Sequence, residues 1–79
     1  MIIESKEVRW EHVESVHDCV PKIKEVLAEG GWEYLGRAQV AGDGKVVTMM
    51  KGKVNGTLLH NYFDGRTFLP GYWMIFKEI

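Results

Sequence analysis

His12, His17 and Cys19 fall within a short stretch of chain, with Asp18 between the last two. Imidazole and thiolate are good zinc ligands, but a site needs three or four convergent donors. The missing donor would be His60 or an acid from a distant segment. Cys19 also falls in the first turn of an expected helix, where the positive end of the helix dipole favours a thiolate, and His17 is close enough in sequence to serve as a base. Glu14 and Asp18 oppose that effect, and no oxyanion site is evident. The plainer reading is exposed histidines ahead of a helix and a half-buried cysteine. On that reading there is no metal, no cofactor and no catalytic residue, and a Cys19-based activity is the minor alternative. Residues 42–45, "GDGK", lack the length and the following Ser or Thr of a phosphate loop and read as a hairpin turn.

The richest stretch is residues 60–73, "HNYFDGRTFLPGYW", which packs His60, Tyr62, Phe63, Arg66, Phe68, Tyr72 and Trp73 together. A single helix covers one face of a sheet, so the other face would carry Leu35, Arg37, Tyr62 and Trp73 or Tyr72. Aromatics with Arg are the composition of an interface. They also suit a wall that stacks a planar anionic ligand, with Arg37 or Arg66 binding its charge. Three readings stay open for these residues: a self-association face, completion of the monomer core, and a ligand wall. The candidate binding residues are Arg37, His60, Tyr62, Arg66, Tyr72 and Trp73.

These side chains need elements to hold them. Residues 18–30 read as a helix, with Val20, Ile23, Val26, Leu27 and Gly30 in one apolar stripe. Asp18 is the expected N-cap, Pro21 falls at the third helical position, where its missing N–H costs nothing, and Gly30 with Gly31 ends the helix. Residues 32–41 alternate as a strand. Trp32, Tyr34, Gly36, Ala38 and Val40 should face the helix, and Glu33, Leu35, Arg37 and Gln39 should face away. "KVVTMMKGK" (45–53) reads as the next strand, Asn55-Gly56 as a hairpin turn that also spells a glycosylation acceptor at Asn55, and "TLLHNYF" (57–63) as another strand. Asp64-Gly65 is a turn, "RTF" a short strand or arm, and Pro70 marks an edge or bulge. "GYWMIFKEI" closes the chain as a strand. "EVRWEHV" is read as a strand, although Trp10, Val13 and His17 also fit a helical face. The expectation is an α+β fold in a single domain, 1–79. It has β-α-β-β-β order, with an antiparallel four- to five-stranded meander and one helix on one face.

The totals narrow the function. Seventy-nine residues make a marginal core, and one cysteine permits no internal disulfide. Oligomerisation is then the expected staple. Net charge is −1, without the basic excess of nucleic-acid binders. Residues 1–33 carry eight acids and four bases, and residues 34–79 three acids and six bases. That split reads as a solvated surface with some head-to-tail complementarity. No apolar run reaches membrane-spanning length, and the N-terminus does not read as a signal peptide. With a lone cysteine, the expected location is cytoplasmic.

"KIKEVLAEGGWEYLGR" resembles the helix-to-strand joint of a family of small uncharacterised bacterial and phage domains, whose helix ends in Gly-x-x-Gly-Trp-Glu-Leu-Val. The matching residues are Leu27, Gly30 or Gly31, Trp32, Glu33 and Leu35, then Phe76 and Lys77 near the end. The first strand of that family often carries Trp-Glu-Tyr, for which "VRWEHVES" can stand. The likeness covers about half the chain and departs at Tyr34, at Glu78 and through 42–70. It implies a fold and no activity, so no functional residue carries over. The expectation is a non-enzymatic, homo-oligomeric interaction or binding protein that works through the open sheet face, and a phage-encoded regulator of a protein partner would fit it. The alternative is a binder that sequesters a small anionic, nucleotide-like ligand at a subunit interface. Neither nucleic acid nor membrane is an expected partner.

Overall fold

The computed structural model describes residues 7–52 and 58–79. In chain order the elements are β1 (Val8–Val13), a 3-10 turn (Val16–Asp18), α1 (Cys19–Glu29), β2 (Trp32–Val40), β3 (Val46–Lys51), α2 (His60–Phe63) and β4 (Gly71–Glu78). The fold is α+β, with α1 packed on one four-stranded antiparallel sheet. The Asn55-Gly56 turn and the acceptor at Asn55 lie outside the described residues.

The strand order is β1-β4-β2-β3, so the sheet departs from the expected meander. β2 and β3 form a hairpin, and β4 then returns between β1 and β2. Burial explains the insertion. Met74, Ile75 and Phe76 are fully buried and belong alternately to the two core clusters on opposite faces. A strand buried on both faces reads as a continuous apolar run and belongs in the centre of a sheet. The alternating, partly charged "VRWEHV" suits an edge.

The start of α1 differs from expectation. Asp18 makes no capping bond, because it is already turned into the 3-10 segment. Ser15 caps instead, its Oγ accepting from the His17 N–H at 3.3 Å. The end of the helix is as read. Gly30 and Gly31 take φ of +79° and +85°, values that glycine adopts without a Cβ penalty. The buried line of α1 runs through Cys19 and Val26, with Ile23 half-buried. Val20 and Leu27, expected in the stripe, are 53% and 42% exposed. The apolar arc of the helix is wider than the surface it covers.

A bulge in β2 changes which residues share a face. Tyr34 pairs with Phe76 and Gly36 with Ile75, leaving Leu35 as the extra residue. Trp32 and Tyr34 pack in the α1 cluster, whereas Leu35 and Ala38 pack in the cluster on the opposite side. From Gly36 onward the expected alternation is therefore inverted, and Arg37 and Gln39 turn to the α1 side.

The second face is covered by the chain itself. Residues 58–63, expected as a strand, form the short turn of α2. Leu59 and Phe63 lie four residues apart, so one helical turn points both at the sheet, and both are buried with Leu35, Ala38 and Ile75. Gly36 makes room for them. A Cβ there would stand 2.6 Å from a Leu59 methyl and 2.7 Å from the Met50 carbonyl oxygen. The Phe68 N–H bonds the Gly44 oxygen at 3.0 Å and holds the returning chain to the β2–β3 turn.

Candidate functional site

The candidate binding residues separate into two groups. On the α2 side, Trp73, Trp10, Phe63 and Phe68 form an aromatic cluster with ring centroids 5.3–6.2 Å apart. The Trp73 indole N–H donates to the Leu69 oxygen at 2.9 Å. Arg66 lies over the Trp10 and Phe68 rings at 5.2 and 5.0 Å and donates to the Tyr62 oxygen. Tyr62 packs edge-on to Trp10. His60 is exposed at the first position of α2. Of the three readings held for Trp73, its packing corresponds to completion of the core.

Arg37 and Tyr72 lie on the other face, and the bulge brings them together there. With Val16, Gln39, Thr48, Met49 and Met50 they line a shallow cavity of about 220 Å³. Lys22 and Glu29 on one flank of α1 reach β1. Arg9 donates to Glu29 at 2.8 and 3.1 Å and to Glu11 at 2.8 Å, and Lys22 approaches Glu11 at 3.9 Å. Arg9 also lies over the Trp32 ring at 5.4 Å. The Arg9 guanidinium holds the Glu29 carboxyl below the usual carboxylate range. That network ties one flank of the helix to β1, and the helix also packs on β2 and β4. Helical geometry puts the exposed Val20 and Leu27 on the opposite flank.

The β2–β3 half is polar at its floor and apolar at its margins. Among the described residues Arg37 has no carboxylate partner, and its guanidinium contacts the Met50 sulfur at 3.7 Å. Tyr34 lies beside it on β2, half-buried, and burial raises its hydroxyl pKa above the ordinary value. Beyond the floor is β3, an edge strand on which Val47 and Met50 are each 59% exposed and Met49 is 43% exposed. Sequence reasoning singled out Arg37 and Tyr72 but missed Met50, Thr48 and the exposed flank of α1. The run "VVTMM" in a strand with one neighbour was the available signal.

His12, His17 and Cys19 are not brought together. Among the described residues no three His, Cys, Asp or Glu side chains converge on a metal position. The His12 Nε2 is 2.8 Å from the Pro70 oxygen, and its ring lies tilted against Trp73 with centroids 4.8 Å apart. Cys19, expected half-buried, is fully buried with Val26, Met74 and Phe76. No described helix is long and apolar enough to cross a membrane. No protein-family model, curated protein or solved structure matches the chain.

Proposed function

We propose that this domain is a non-enzymatic, oligomeric interaction module whose working surface is the uncovered β2–β3 half of the sheet. One observation carries the reading. Arg37, Gln39, Thr48, Met49, Met50, Tyr72 and Val16 line a cavity on the α1 side of the sheet, beside the exposed side chains of β3. An aromatic ring, an Arg with no carboxylate partner among the described residues and flexible methionines are a composition suited to protein contact. A pull-down from the lysate of the native host is the test. The expected result is a retained protein that is lost when Arg37 is changed to Glu in a variant of unchanged circular dichroism. Retention that ignores Arg37→Glu counts against this surface.

The second reading is a binder for a small anionic, planar ligand, and the cavity lined by both Arg37 and Tyr72 favours it. A thermal shift against mononucleotides and cyclic nucleotides tests it. A ligand of the folded state raises the melting temperature in proportion to RT ln(1 + [L]/Kd). The rise should vanish in Arg37→Glu.

A further inference from the structure

We infer that Met50 is an oxidation site for hydroperoxides, and that Arg37 holds the oxygen of the resulting sulfoxide. The modification stands on the contact between these two side chains. Its consequence for binding rests on the proposal that the β2–β3 half is the working surface.

The fold sorts the sulfur atoms of the described residues by access. Cys19 and Met74 are fully buried in the α1 cluster, out of reach of a water-soluble oxidant. Met49 and Met50 are 43% and 59% exposed on β3. Although neighbours in sequence, they have different partners across the sheet. Met49 stands opposite Ala38, and Met50 stands opposite Arg37. Residues directly opposite on paired strands bring their side chains within reach of each other, and methionine has three rotatable bonds with which to close the gap. The Arg37 guanidinium accordingly lies 3.7 Å from the Met50 sulfur. Among the described residues no other sulfur has a cation against it.

The chemistry balances with a single co-reactant. A sulfur lone pair attacks one oxygen of hydrogen peroxide. An S–O bond forms, the O–O bond breaks, and the second oxygen leaves with both protons as water. The thioether is oxidised to a sulfoxide and the peroxide is reduced. The return step is the one that methionine sulfoxide reductases perform. Two thiols become a disulfide, and the sulfoxide oxygen leaves as water.

The product suits Arg37 better than the reactant does. A thioether sulfur is a weak acceptor. A sulfoxide is polar, and hydrogen bonds from an ionised donor are roughly twice as strong as neutral ones. No carboxylate competes for this guanidinium among the described residues. Oxidation therefore exchanges a weak N–H···S contact for a charge-assisted N–H···O bond and holds the guanidinium against β3. It also makes polar one wall of the cavity that Met50 lines with Arg37 and Tyr72. Both changes oppose a partner that needs Arg37 beside an apolar Met50, so oxidation closes the surface and reduction reopens it.

The test exposes the folded chain to hydrogen peroxide and locates the added oxygen by tandem mass spectrometry. Oxygen is expected on Met49 and Met50 and on neither Met74 nor Cys19 while the fold holds. A Met50 that stays unmodified while Met49 reacts overturns the inference. Capture by Arg37 is read in the Met49→Leu chain, melted before and after oxidation, with Arg37 in place and as Arg37→Leu. If the second variant does not fold, Arg37→Gln serves. Oxidation elsewhere contributes equally to both backgrounds and cancels. The change in melting temperature on oxidation should be more favourable by about 2–4 °C where Arg37 is present, the response of a small domain to one weak added bond. No difference, or one of opposite sign, overturns the capture. Oxidised Met49→Leu should also lose the Arg37-dependent partner in the pull-down and regain it after reductase treatment. Undiminished retention overturns the closure. A pull-down indifferent to Arg37→Glu instead sinks the working-surface proposal, and the oxidation and melting results then decide the modification on their own.

Discussion

The two edges of the sheet are built to opposite specifications. On β1, Trp10 is anchored among Phe63, Phe68 and Trp73, and Arg9 with Glu11 connects the strand to α1. On β3, five consecutive uncharged residues have one neighbouring strand among the described residues, and their side chains are mostly exposed. Edges of both kinds occur in small domains, but a bare apolar one is a liability unless something pairs with it. The contrast shows where the chain spends its few aromatic residues. They lie on β1, β2, β4 and the 62–68 segment, and none lies on β3.

The sharpest way to break the contrast is to remove the β1 anchor. Trp10→Ala takes a ring out of four aromatic contacts and should cost about 3 kcal/mol in denaturant unfolding. Gly36→Ala attacks the boundary between the two halves. Its methyl would meet the Met50 carbonyl, which is backbone, as well as Leu59, at a φ of +154°. The expected loss is about 2 kcal/mol, read as a lower melting temperature. Met50→Ala on the bare edge should change the stability of the isolated chain by less than about 0.5 kcal/mol. A loss as large as that of Trp10→Ala would mean that β3 belongs to the core.

Two smaller effects sharpen the same picture. Cys19 is fully buried, so its alkylation at neutral pH should follow the rate of opening of the fold. Fast labelling would place the start of α1 away from the sheet. Glu29 titrates below its ordinary range because Arg9 bonds its ionised form. Its contribution is therefore present above about pH 4.3, the ordinary glutamate value, and is lost as pH falls through the depressed value. Glu29→Gln should remove that part of the acid sensitivity by giving up the same contribution at pH 7, and a thermal-melt series across pH 2–7 (roughly the carboxylate range) checks it.

Much of the local structure was legible in the residues. Asp43 and Gly44 make the β2–β3 turn, where the Asp43 carboxylate accepts from the Lys45 N–H at 3.0 Å, and Gly30-Gly31 ends α1. Both depend on conformations that neighbouring residues impose within a few positions. Arg37 and Tyr72 were identified as binding candidates from residue type, but on the wrong premise about which face they shared. The bulge at Leu35 decides that, and a single extra residue leaves no mark in an alternating pattern until the strand is paired with β4. The turn of α2 was hidden for a related reason. "LLHNYF" satisfies a strand period and a helical one equally, and only the space above Gly36 selects the second.

The chain by itself determined the end of α1, the turn after β2 and the position of most strands, because glycine freedom and alternation act over a few bonds. The strand order, the covered faces and the bare edge were decided by the tertiary structure. They depend on which distant segments exclude water from each other, and β4 took the centre because its run from Tyr72 to Phe76 is apolar toward both sides.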